Sequence, residues 1–122
     1  MNVADLMSKP SCFVDPETTL AEATTMMGEQ RVGSALVMDG ERLAGILTER
    51  DIVRAMSTAH DAPARPVIEW MTKNPTTSPG DTPVREALRA MVEGGFRHLP
   101  IVEGETVVGI LSMRDIAKAL AD

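Results

Sequence analysis

Two stretches, Gly45-Ile46-Leu47-Thr48-Glu49-Arg50-Asp51 and Gly109-Ile110-Leu111-Ser112-Met113-Arg114-Asp115, decide how this sequence folds. The second follows the first by 64 residues. The same shift aligns residues 3–56 with residues 67–120 without a gap, and 17 of the 54 pairs are identical. Average residue usage would give about three or four identities by accident. The chain is therefore predicted to contain two copies of one unit.

The repeat sets the predicted domain boundaries. We assign residues 1–56 to the first repeat and residues 67–122 to the second. Residues 57–66 form the predicted linker, because this segment is polar and contains Pro63 and Pro66. A copy of about 55 residues would bury little surface alone, so the two are expected to share one folded module.

Each copy shows the same pattern of elements, β-α-β-β-α, and the predicted fold class is α/β (α+β). Thr18 and Thr82 stand where helix N-caps belong, with Pro83 at a first helical position. Two apolar runs follow, separated by Asp39-Gly40 in the first copy and Glu103-Gly104 in the second, which indicate tight hairpins. The closing segment of each copy is predicted to be a helix.

Composition excludes several classes of protein. The 122 residues carry a net charge of −6 and only 2% aromatic residues, which argues against binding nucleic acid or stacking bases on rings. Cys12 is the single cysteine, so a disulfide-built scaffold is excluded. No apolar run is long enough to cross a membrane, and a cytoplasmic location is expected.

The two repeated stretches place a hydroxyl residue and an aspartate three positions apart where a strand gives way to a helix. Thr48-x-x-Asp51 and Ser112-x-x-Asp115 resemble capping boxes, which would only start a helix. The same geometry suits a nucleotide, because a helix N-terminus favours phosphate and a carboxylate can bind a ribose diol. Both interpretations stay open from these residues alone. Gly45 and Gly109 would let a ligand or another backbone approach closely.

The sequence resembles the cystathionine-β-synthase (CBS) domain family, and the tandem pair resembles a Bateman module. The resemblance rests on Asp5–Pro10 with Trp70–Pro75, on the two repeated stretches, and on Phe96–Ile101. It implies two repeats packed about a pseudo-twofold axis, with adenosine-containing ligands between them. AMP is the first expectation, and ADP, ATP, NAD and S-adenosylmethionine are other ligands of the family.

The resemblance also implies two sets of ligand-binding residues. In the first cleft Asp51 would hold the ribose, with Thr48 near the phosphate. The whole first set is Ile46, Thr48, Asp51, Asn74, Pro75, Thr76, Arg97 and His98. The mirror set is Pro10, Ser11, Cys12, Gly33, Ser34, Ile110, Ser112 and Asp115.

The two predicted clefts differ in charge. The first copy has Gly33 and Ser34 where the second has Arg97 and His98, so no cation stands there. Because charge-assisted hydrogen bonds are stronger than neutral ones, we expect the cleft around Asp51 to bind a phosphorylated adenosine more tightly than the cleft around Asp115 does.

No catalytic residue or required cofactor is predicted, since the sequence shows no nucleophile–base pair, P-loop or metal-ligand spacing. The favoured function is a regulatory, signal-transducing module that is not an enzyme and binds an adenosine compound. The alternative is a ligand-free structural or interaction module with the same fold. The resemblance further implies a homodimer, with an effector protein that remains unidentified.

Overall fold

The computed structural model describes residues 1–121 and has the predicted mixed α+β architecture, built on two sheets. The α-helices of these residues are α1 Val3–Leu6, α2 Leu20–Gln30, α3 Glu49–Thr58, α4 Val84–Gly94 and α5 Met113–Ala121. The strands are β1 Phe13–Val14, β2 Ser34–Asp39, β3 Arg42–Thr48, β4 Thr72–Lys73, β5 Ser78–Pro79, β6 His98–Glu103 and β7 Thr106–Ser112.

The two sheets are built alike. The first has the order β1-β2-β3-β4, with β1 parallel to β2 and the other pairs antiparallel. The second has the order β5-β6-β7, with β5 parallel to β6 and β6 antiparallel to β7. A single bridge from Ser8 to Ile110 stands where the second sheet lacks the counterpart of β4. Since Ser8 and Thr72 occupy matched positions of the repeat, the two sheets end on equivalent segments of the sequence.

The compact units of the structure do not coincide with the sequence repeats. One, here called the central unit, is Ser11–Pro75, and the other, the terminal unit, joins Met1–Pro10 to the chain from Thr76 onward. The opening segment of each sequence repeat thus completes the sheet of the other. The repeat boundaries at residues 1–56 and 67–122 stay a prediction about the sequence.

Each unit has its own core of apolar side chains, and Leu47 and Leu111, which occupy matched positions, are both fully buried. The core of the central unit consists of Cys12, Val14, Leu20, Ala23, Met27, Ala35, Val37, Leu47, Ala55, Ala62 and Val67. The core of the terminal unit consists of Val3, Ala87, Met91, Leu99, Ile101, Leu111 and Ile116.

Helix α2 begins one residue later than the sequence suggested. Thr19, not Thr18, is the N-cap, because Thr18 is bonded to Asp15 in the preceding turn. Thr19 and Glu22 form a capping box, and the bond from the Thr19 backbone N–H lowers the pKa of the Glu22 carboxyl. In α4 the cap is Pro83, which has no side-chain acceptor, so the prediction of Thr82 as cap was also wrong.

The hairpin turns also lie one residue later than predicted. Strand β2 runs through Asp39 and the two-residue turn is Gly40-Glu41. Gly40 has φ of 64° and its counterpart Gly104 has φ of 63°, a left-handed conformation that glycine adopts without a steric penalty.

The segment predicted as a linker is part of the central unit. Helix α3 continues to Thr58, and Ala62 is fully buried in the core. Arg65 forms ion pairs with Glu69 and Asp61, and these bonds raise the pKa of its guanidinium. None of the helices within residues 1–121 has the length and hydropathy needed to span a bilayer.

Candidate functional site

The junction of β3 and α3 is organised around Thr48 and Asp51. The Thr48 backbone N–H donates to Asp51 Oδ2 at 2.9 Å, and the Thr48 hydroxyl donates to the same oxygen at 3.1 Å. The Asp51 backbone N–H donates in return to Thr48 Oγ1 at 3.4 Å. These bonds form a capping box, so the structural interpretation of this motif is correct in the first copy.

The junction of β7 and α5 repeats this arrangement. The Ser112 backbone N–H donates to Asp115 Oδ2 at 2.9 Å, and the Asp115 backbone N–H donates to Ser112 Oγ at 3.0 Å. Both aspartates are therefore fixed on the first turn of a helix. A cap fixes a carboxylate without consuming its full acceptor capacity, so it does not exclude a ligand.

The second carboxylate oxygen has a different partner in each copy. Asp51 Oδ1 accepts from Arg54 Nη2 at 3.3 Å, and Asp115 Oδ1 accepts from the Ser8 hydroxyl at 3.2 Å. Asp51 is 7% exposed as a residue, whereas Asp115 is half-buried. The two carboxylates thus share an orientation and differ in surroundings.

The positions 33–34 and 97–98 lie beside these junctions. Ser34 pairs with Thr48 across the first sheet, and His98 pairs with Ser112 across the second. The carbonyl groups of Gly33 and Arg97 accept the first backbone N–H of α3 and of α5, at 3.2 Å and 2.9 Å. Within each unit, therefore, a backbone carbonyl group already accepts one of the helix N–H groups that were predicted to favour phosphate.

The glycines of the two stretches make room for the neighbouring segment. A Cβ on Gly45 would lie 2.7 Å from the carbonyl oxygen of Thr72 in β4 and 2.6 Å from Met71 Sδ. A Cβ on Gly109 would lie 2.8 Å from Met7 Cγ. Of the two predicted reasons for glycine, the structure favours close approach of another part of the protein over close approach of a ligand.

The remaining predicted residues are divided between the units. Asn74 is exposed, has φ of 47°, and donates its backbone N–H to the Ala44 carbonyl at 3.2 Å. Ile46 and Cys12 are buried, and burial raises the pKa of the Cys12 thiol, which makes it a poor nucleophile. The predicted residues of the central unit are Ser11, Cys12, Gly33, Ser34, Ile46, Thr48, Asp51, Asn74 and Pro75. Those of the terminal unit are Pro10, Thr76, Arg97, His98, Ile110, Ser112 and Asp115. The assignment of these residues to two clefts stays a prediction.

Sequence reasoning missed three side chains that contact the two aspartates or their neighbours: Ser8, Arg54 and Trp70. A signal was available for two of them. Arg54 and Trp70 occupy repeat positions where the other copy has Lys118 and Leu6. Within residues 1–121, no cluster of three or more histidine, cysteine or acidic side chains could hold a metal ion.

Comparison with known proteins agrees with the fold. An uncharacterized 17.7 kDa protein of Acidianus ambivalens is 46% identical over 122 residues, an alignment that covers 98% of this chain and 73% of that protein. A CBS-domain containing protein of Agrobacterium tumefaciens superposes with a TM-score of 0.93 at 29% identity, over 98% of this chain and 99% of that one.

A second similar structure contains ligands. The CBS domain pair of protein MJ0100 was solved in complex with 5′-methylthioadenosine and S-adenosyl-L-methionine. It superposes with a TM-score of 0.90 at 26% identity, over 99% of this chain and 96% of that one. The family model of the CBS domain matches residues 3–58 and again residues 67–122. The chain belongs to the CBS domain family and carries two such domains in tandem.

Proposed function

We propose that this chain is a regulatory module without catalytic activity, which binds an adenosine-containing ligand through the carboxylates of Asp51 and Asp115. The observation that carries the proposal is the matched pair of strand–helix junctions. Each holds an aspartate by its Oδ2 atom, so that the Oδ1 edge has a fixed direction. An oriented carboxylate is the acceptor that the two hydroxyls of a ribose require.

The ligands of the related pair support this choice of chemistry. 5′-Methylthioadenosine and S-adenosylmethionine share an adenosine with an intact ribose diol and differ at the 5′ position. A site that recognises the diol would accept both and would accept AMP as well. We propose AMP as the ligand of this chain, with Arg97 and His98 of the terminal unit as the groups that meet its phosphate. The single cysteine, Cys12, suits a reducing compartment such as the cytoplasm.

Replacing Asp51 or Asp115 by asparagine is expected to weaken adenosine binding at the altered site by about 10- to 150-fold. The reason is that hydrogen bonds to a charged group contribute about 1.5–3 kcal/mol, and asparagine keeps the shape but not the charge. Isothermal titration with AMP, 5′-methylthioadenosine and S-adenosylmethionine measures the affinity. Asparagine retains an oxygen that can accept the cap N–H, so both variants are expected to fold.

Asp81→Asn is the matched control for these variants, because Asp81 is an exposed aspartate of the terminal unit outside both junctions. It should leave the affinity unchanged. If wild-type protein binds none of the three compounds, the function proposed here is wrong. If it binds 5′-methylthioadenosine but not AMP, the adenosine site stands and the phosphate assignment to Arg97 and His98 fails.

We also propose that two copies associate through α3 and α5. Met56 and Leu120 occupy matched repeat positions and are 56% and 79% exposed, so the same apolar contact is offered twice. A twofold-symmetric dimer can bury such a duplicated surface in a closed interface that does not propagate to further copies. Sedimentation equilibrium should give twice the 13.1 kDa chain mass, and the double variant Met56→Lys, Leu120→Lys should give a single chain mass. Wild-type protein sedimenting as a single chain would contradict the proposal.

A further inference from the structure

Arg54 connects the Asp51 carboxylate to Trp70. Its Nη2 atom donates to Asp51 Oδ1 at 3.3 Å and to the Trp70 carbonyl oxygen at 2.7 Å. Its guanidinium carbon lies 5.7 Å from the centroid of the Trp70 ring, within the range of a cation–π contact. The Arg54 side chain is 54% exposed, while that of Asp51 is 10% exposed. A half-exposed side chain therefore occupies one oxygen of a nearly buried carboxylate.

The acceptor capacity of Asp51 is almost filled. An ionised carboxylate offers about four lone-pair sites. Thr48 takes two of them on Oδ2, and Arg54 takes one on Oδ1. About one site is left, whereas a ribose diol that donates both of its hydroxyls needs two. The diol can be accepted in full only if Arg54 leaves Oδ1.

Asp115 has no such obstacle. It accepts one bond from the Ser112 N–H and one from the Ser8 hydroxyl, which leaves about two sites for a diol. Lys118 and Leu6 stand at the repeat positions of Arg54 and Trp70. Among residues 1–121, no ion pair is made by Asp115. The same ligand group therefore meets different acceptors in the two copies.

We propose that Arg54 is a latch on Asp51 that must release Oδ1 before the carboxylate can accept both ribose hydroxyls. The inference rests on the proposed function and adds a regulatory element to one of its two sites. Trp70 gives the released guanidinium a place to remain, since its carbonyl oxygen and its ring hold Arg54 independently of Asp51. Arg54 is thus a positioning residue that sets the affinity of one site.

Binding of two neutral probes, adenosine and 2′-deoxyadenosine, tests the latch without any effect of phosphate charge. The measurements are made in an Asp115→Asn background, so that only the Asp51 site retains its carboxylate. Arg54→Met removes the donor and keeps an unbranched stem. It should tighten adenosine binding by about 2- to 5-fold, because the Arg54 side chain is 54% exposed and an ion pair open to water on one side competes only weakly with a ligand. Binding of 2′-deoxyadenosine should stay unchanged, because a single hydroxyl fits the one remaining site.

The matched control is Lys118→Met, the same change at the equivalent position of the other copy, which should alter neither affinity. Trp70 supplies a second measurement, because it is the only tryptophan and the chain has no tyrosine. Adenosine should change the tryptophan emission of the Asp115→Asn protein as Arg54 moves, and this change should be lost in Arg54→Met.

Equal effects of Arg54→Met on both nucleosides, or weaker adenosine binding, would overturn the latch while the adenosine site itself survives. The latch is also overturned, and an adenosine site survives, if the Asp115→Asn protein does not bind adenosine although the wild type does. If the wild type binds no adenosine compound, the proposed function fails first. Tightening confined to the nucleoside with both hydroxyls supports the latch.

Discussion

Leu111→Ala is expected to lower the free energy of unfolding by about 2–5 kcal/mol, the usual cost of removing a fully buried leucine side chain. Leu111 has 0% exposure and lies in the core of the terminal unit with Met91, Leu99 and Ile101. The change removes three side-chain carbons, Cγ and its two methyl groups, and the surroundings relax only partly, so lost burial and an added cavity both contribute. Urea unfolding followed by circular dichroism, analysed by linear extrapolation, measures the change.

The sequence repeat provides a partner for this experiment. Leu47 is the matched residue of the central unit and also has 0% exposure, so Leu47→Ala should cost a similar amount. Val92→Ala is the control, because Val92 is 65% exposed on α4 and surface changes usually stay within about 0.5 kcal/mol. A loss below about 1 kcal/mol at Leu111 would show that its surroundings are less tightly packed than the structure indicates.

The element order was predictable because the sequence repeats itself. A helix in α4 with apolar residues at three- and four-residue spacing makes the weaker pattern of α2 readable as a helix too, since the matched segment must fold alike. Element ends were less predictable. Thr18 and Thr19 are both good caps by type, and the choice between them depends on the Asp15 side chain, which already engages Thr18.

The exchange of opening segments between the units could not be read from the sequence. Residues 3–9 and 67–73 are similar, and each contains a valine, a methionine and a lysine at matched places. Either segment therefore has the residues needed to cover either glycine-containing strand. Which one does so depends on how the intervening chain connects, and periodicity carries no information on that connection.

The two hydroxyl–aspartate pairs could be predicted from the sequence but not all of their contacts, and the ligand-binding residues stay predictions. The spacing of Thr48 and Asp51 left a cap and a ligand site as alternatives, and the structure shows the cap. The Arg54 contact was missed because an arginine on an exposed helix face is usually solvated, as expected for most such charges. In the sequence, the contact is marked by the differences between Arg54 and Lys118 and between Trp70 and Leu6 at matched repeat positions.

Val3→Asp is expected to lower the free energy of unfolding by about 3–5 kcal/mol, the range found when a charge is left buried without a partner. Val3 stands near the start of the chain, where substitutions are usually tolerated. Here it has 0% exposure, packs in the core of the terminal unit, and donates its backbone N–H to the Thr82 carbonyl at 2.9 Å. The opening segment is thus a structural part of that unit.

Two matched variants separate this explanation from a general effect of added charge. Ala4→Asp places the same carboxylate one position later on an exposed residue, and it should change stability by no more than about 0.5 kcal/mol. Val67→Asp makes the equivalent change in the core of the central unit, where Val67 also has 0% exposure, and should be as costly as Val3→Asp. Urea midpoints and amide hydrogen exchange of β6 and β7 provide the measurements. If Val3→Asp behaves like Ala4→Asp, the first ten residues are a dispensable tail and the exchange of opening segments is wrong. If it behaves like Val67→Asp, each unit depends on a segment that the sequence repeat assigns to the other.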